Sequence, residues 1–179
     1  MSDSTGAMPL RPAVAADEPI AALYAWHGRA LRCCAALRRL PFHLAERGCD
    51  REAQVACHGL LRFFDNEAPQ HYADEEEDLF PSMVEAMAGS DAVCIHALAR
   101  GVSEQHRALA EQWRQLRPAL EELAAGREVR LAHDAIETFV VQWRELVAAE
   151  EAELLPMASR LLADAQLAQI TQHMRERRA

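Results

Sequence analysis

Glycine and tyrosine are scarce in this chain, at seven and two of 179 residues. Ala, Leu, Glu and Arg abound instead, a mixture that favours helix and disfavours strand. Positive charge is also short. Nineteen Lys and Arg face 28 Asp and Glu, giving a formal net charge of -9, which argues against a phosphate-neutralising surface for nucleic acid. No apolar run reaches the ~18 residues that a membrane-spanning helix needs. The first residues, MSDSTGAMPLRPAVAAD, lack the basic stretch and long apolar core of a secretion signal. The five cysteines (Cys33, Cys34, Cys49, Cys57, Cys94) are odd in number and have no CxxC spacing. They read as free thiols in a reducing compartment, and with no signal they predict a cytoplasmic location.

What is present is half hydrophobic by composition and long enough for one domain with a real core. Stops and stripes divide it into four long helices. Residues 1–16 read as a mobile tail. Helix A is expected from about Asp17 to Arg47, with Asp17 as N-cap and Gly48 after its end. Its stripe is Ile20, Leu23, His27, Leu31, Cys34 and Leu37. Helix B is expected from Asp50 to Ala88, with a break or kink at Pro69 and a stop at Gly89. Its later stripe is Phe64, His71, Glu75, Leu79 and Met83. Helix C runs from near Asp91 to before Gly126, and its stripe includes Val102, His106, Leu109 and Trp113. Helix D starts near Glu128, and its stripe includes Val129, Val140, Trp143, Leu146, Glu150 and Leu154. A short helix over 164–177 follows, ending in a basic run read as a solvated terminus. Long helices with short connections pack as antiparallel neighbours. The expectation is an all-α, up-down-up-down four-helix bundle over 17–160, with a C-terminal helical extension over 161–179.

One segment occurs twice. His71-Tyr72-Ala73-Asp74-Glu75-Glu76-Glu77-Asp78-Leu79-Phe80-Pro81 is answered by Leu146-Val147-Ala148-Ala149-Glu150-Glu151-Ala152-Glu153-Leu154-Leu155-Pro156. Each carries a Glu pair ahead of a proline. In the first, His71 and Glu75 share a helix face one turn apart and can bind one metal ion. In the second, Leu146 stands where that histidine would be.

Height along the bundle tests whether the polar stripe residues meet. His27 and His71 are each about 22 residues from the A–B turn at Cys49, and Glu75 and His106 are nearly equidistant from the B–C turn. Leu146 and Glu150 fall within about a turn of the level of His106. His27, His71, Glu75, His106, Leu146 and Glu150 should therefore share one layer of the core. Carboxylates and imidazoles in a dry core are costly unless paired or metal-bound. Imidazole and carboxylate donors without thiolate suit iron, manganese or zinc. The plainer readings are a satisfied core histidine at each position, a solvated acidic face over Asp74–Asp78, and a solvated patch begun by Glu150, Glu151 and Glu153. Trp113 and Trp143 read as core that could also wall the layer off from water.

These residues are where the chain resembles the hemerythrin-like, or HHE cation-binding, family. The resemblance covers roughly 17–160: Trp26-His27-Gly28, the HxxxE from His71 to Pro81, Glu104-Gln105-His106, and the EExxLLP from Glu150 to Pro156. It implies a bundle around a non-haem di-iron centre. His27 and His71 would serve one iron, Glu75 and Glu150 would bridge, and His106 would serve the second iron. It also implies binding of, or response to, oxygen, nitric oxide or peroxide. The chain departs from the pattern at Leu146, in place of the second HxxxE histidine. The second metal is then absent, or weakly held with water in the gap, or the bundle persists without metal as a structural or interaction module. Neither an acid–base pair nor a substrate pocket in the sequence supports a di-iron oxidase or peroxidase.

Overall fold

The computed structural model describes residues 19–87 and 92–179. The tail over 1–16, the cap at Asp17, the stop at Gly89 and the start at Asp91 lie outside the described residues. The rest is an all-α bundle. Helix α1 is Pro19–Arg47. The second rod is built in pieces: α2 (Arg51–Arg62), a π turn (Phe63–Glu67), α3 (Ala68–Ala73), a second π turn (Asp74–Leu79) and α4 (Phe80–Ala86). Helix α5 is Ala92–Ala124 and α6 is His133–Ala149. A third π turn (Glu150–Leu154) leads into α7 (Leu155–Leu161), and α8 (Asp164–Glu176) closes the chain. Helix α1 packs on α2 and α6, and α5 packs on the same two, which closes the ring of four rods.

The turns follow from local chemistry. Gly48 and Gly126 adopt φ of 71° and 77°, left-handed values that end α1 and the α5 rod at little steric cost. Asp50 caps α2 by accepting from the Ala53 backbone N–H at 2.9 Å. The fourth rod begins later than the sequence suggests. Residues 127–132 are not helical, and α6 starts at His133 rather than near Glu128.

Three prolines neither break nor sharply end their rods. In each π turn a backbone N–H bonds five residues back: Ala68 to Phe63, Phe80 to Glu75, and Leu155 to Glu150. Pro69, Pro81 and Pro156 come immediately after those donors. A prolyl nitrogen cannot donate, and its ring crowds the carbonyl four residues back. The wider π turn relieves that crowding, so the rod continues. Such turns cluster at functional sites, and two of these carry Glu75 and Glu150.

The core is an apolar column including Leu23, Leu37, Leu79, Leu109, Leu120, Phe139 and Trp143. Each such side chain contributes about 1.5–3 kcal/mol on burial. Leu31 and Val129, read on the inner stripes, are exposed at 36% and 37%. The column is interrupted by a polar layer.

Candidate metal centre

That layer contains every expected residue. His27 comes from α1, His71 from α3, Glu75 from the second π turn, His106 from α5 and Glu150 from the third π turn. All five are buried, none more than 2% exposed, and Leu146 is fully buried one turn before Glu150. Donor atoms of His27, His71, Glu75 and Glu150 lie within 4.8 Å of one another.

The two carboxylates straddle the layer. Glu75 turns Oε1 toward His71 Nε2 at 3.7 Å and Oε2 toward His106 Nε2 at 3.3 Å. Glu150 turns Oε2 toward His27 Nε2 at 3.1 Å and Oε1 toward His106 Nε2 at 3.5 Å. Each thus offers one oxygen to the His27–His71 side and one to the His106 side.

These approaches are close, yet they are not hydrogen bonds. His27 Nε2, both ring nitrogens of His71, His106 Nε2 and all four carboxylate oxygens lack a hydrogen-bond partner. So many orphaned buried polar atoms at one point would be costly without a cation among them. Bonds of ~2.1 Å from one metal to its donors set the donors ~3.0–3.4 Å apart, so donors lying within 4.8 Å of one another need only draw inward slightly to share an ion. The donor set and its geometry therefore fit a cation.

The outward face of the imidazoles is held by residues the sequence reading left in solvent. His27 Nδ1 lies 3.1 Å from Glu151 Oε1, and His106 Nδ1 lies 2.8 Å from Glu76 Oε1. In each Glu pair the first glutamate enters the layer and the second grips the histidine of another rod. Such a carboxylate fixes ring orientation and tautomer. The repeat of the Glu pair was the available signal, and the acidic surroundings disguised it. Glu153 alone of the second run's glutamates is exposed.

Aromatic rings complete the wall. Trp26 stacks on His71 with centroids 3.7 Å apart and 10° between planes. Tyr72 stacks on His106 at 4.1 Å. Trp143 lies 5.6 Å from Trp26 and 5.9 Å from Tyr72. Trp113 instead donates to Asp65 at 2.7 Å. His58, His96 and His133 are exposed. His43 pairs with the capping Asp50 at 2.8 Å at the half-open α1–α2 turn.

Burial and mutual charge set the protonation of the cation-free layer. Burial pushes the Glu75 carboxyl up, and the neighbouring Glu150 carboxylate pushes it further. Burial opposes ionisation of Glu150 too, but contacts with His106 and His27 outweigh it and hold its pKa low. Burial works against protonated His106, yet Glu150, Glu75 and Glu76 raise its pKa to about 10. His27 is raised against burial by Glu150 and Glu75. Burial drives His71 well below 6.5. A bound cation would invert this order by displacing the protons.

With this geometry in view, the comparison with known proteins is direct. The hemerythrin HHE cation binding domain matches residues 18–158. The chain belongs to that family. A Haemophilus influenzae protein, described as uncharacterized, is 33% identical over 162 residues, covering 90% of this chain and 91% of that one. The family is a cation-binding one, and the buried His and Glu cluster of this hemerythrin-like chain is a metal-type donor set. No helix among the described residues is long and apolar enough to cross a membrane.

Proposed function

We propose that this chain binds non-haem iron in the polar layer and uses it to sense or handle oxygen, nitric oxide or peroxide in the cytoplasm. One observation carries the reading: Glu75 and Glu150 each direct one oxygen to the His27–His71 side and the other to His106. Helical bundles hold paired metals with carboxylates disposed in this way.

The two sides are unequal. His27, His71 and one oxygen from each glutamate supply four donors to the first. His106 and the two remaining oxygens supply three to the second. Leu146 is buried and has no lone pair to add. The first position is therefore the strong one, and the second is weakly filled or empty. Iron would supply a redox couple and an open coordination position for a small ligand. The protein's part is to hold the donors, orient the imidazoles through Glu76 and Glu151, and exclude water with Trp26, Tyr72 and Trp143. Zinc or manganese would suit the same donors.

Metal analysis of protein purified without air, followed by an absorption spectrum on exposure to air, tests the reading. The expected result is between one and two metal equivalents, nearer one. Less than about a tenth of an equivalent of any transition metal would leave the alternative, a metal-free structural bundle.

A further inference from the structure

The acidic run 74–78 faces two ways. Glu75 enters the layer and Glu76 grips His106, while Asp74 and Asp78, 1% and 7% exposed, meet the C-terminal helix instead. Arg177 donates to Asp74 Oδ1 at 2.6 Å, to Asp78 Oδ2 at 2.9 Å and to Glu77 Oε2 at 3.0 Å. Arg178 donates to Asp74 Oδ1 at 3.0 Å and bonds its second oxygen as well. His173 Nδ1 lies 2.7 Å from Asp78 Oδ1. The basic end is thus bound to the bundle and is not a solvated terminus. Leu167, Ile170 and Met174 bury the apolar face of α8 beneath these contacts.

Helix α8 lies beyond residues 18–158, the extent of the family match. It nevertheless holds the π turn from which Glu75 and Glu76 project. Asp74 and Asp78 bracket those two glutamates in sequence, so fixing their carboxylates fixes the backbone between them. Charge-assisted forks of this kind give geometric precision as well as attraction.

We propose that Arg177 and Arg178 are positioning residues for Glu75 and Glu76, and that docking of α8 is coupled to metal occupancy of the layer. The proposal rests on the metal-binding reading. A docked α8 holds the turn in the donor geometry, and a metal held by Glu75 stabilises the turn on which α8 docks. By linkage each strengthens the other. The C-terminus is then a segment whose exposure reports metal loss.

The chain and its Arg177→Gln/Arg178→Gln double variant, both loaded with zinc, provide the test. Zinc transfer to a chromogenic chelator should be about tenfold faster from the double variant. Trypsin cleavage after Arg175 should be slowed by zinc in the wild type, and that protection should vanish in the variant. Arg177→Lys/Arg178→Lys keeps the charge without the fork and should restore part of both effects. A purely structural role would lower the thermal midpoint and leave zinc transfer unchanged. Equal transfer rates from folded proteins, or cleavage at Arg175 indifferent to zinc, would overturn the coupling while leaving the metal reading intact. A wild type that takes up no zinc or iron would bring both down together.

Discussion

Glu151 holds His27 by its Nδ1 at 3.1 Å across 124 residues of sequence, and Glu76 holds His106 the same way at 2.8 Å. The two halves of the repeat thus exchange support: each supplies one glutamate to the layer and one to a histidine on another rod.

Glu151→Gln and Glu76→Gln should therefore differ in effect. Loss of such a partner costs metal affinity about 10–100-fold. Glu151→Gln should weaken the strong position and lower the affinity measured for the first zinc equivalent. Glu76→Gln should chiefly affect the second position. Equal effects on the first equivalent, measured by competition with a chelator of known affinity, would contradict the asymmetry.

Leu146→His supplies the missing imidazole. Bound iron should rise toward two per chain by elemental analysis. Without metal the variant buries an unpartnered ring and should lose roughly 1–3 kcal/mol in denaturant unfolding. Added metal should recover that loss. A stoichiometry unmoved from wild type would mean that the histidine does not reach the layer.

His71→Ala removes a ring whose two nitrogens have no hydrogen-bond partner. Metal content should fall by at least about tenfold. The metal-free variant should also be less stable by a few kcal/mol, since Trp26 loses its stacking partner and a cavity remains. If the bundle were purely structural, metal content would be indifferent to this change.

The pH dependence follows from the directions of the shifts. In the metal-free protein His106 is raised from 6.5 to about 10. The folded state then holds a proton that the unfolded chain releases. Its contribution is complete below pH 6.5 and is lost as pH rises through about 10. Glu75, also raised, has the same sign at lower pH. Glu150, depressed, contributes above its unfolded value of 4.5 and fails only in strong acid. His71, depressed below 6.5, gains with rising pH up to that value. The metal-free thermal midpoint should thus decline from about pH 7 to pH 10. Zinc must displace these protons, so the increase it brings in the midpoint should grow from about pH 6 to pH 8. Scanning calorimetry with and without zinc reads both trends, and a zinc increment that shrinks with rising pH would refute the ligand assignment.

The sequence by itself determined the helices, their ring of four and the residues of the buried layer. Helical spacing is a local property: His71 and Glu75 share a face wherever the helix lies, and equal distances from a turn set His27 level with His71. Tertiary structure alone decided where the rest of the acids go. Whether Glu76 and Glu151 face solvent or an imidazole depends on how neighbouring rods are rotated, and that is set by packing across the core. Pro69 reads as a break or kink because the sequence does not reveal that a π turn makes room for its ring. Arg177 and Arg178 looked solvated because Asp74 is about a hundred residues away and is brought near only when α8 packs its apolar face on the bundle.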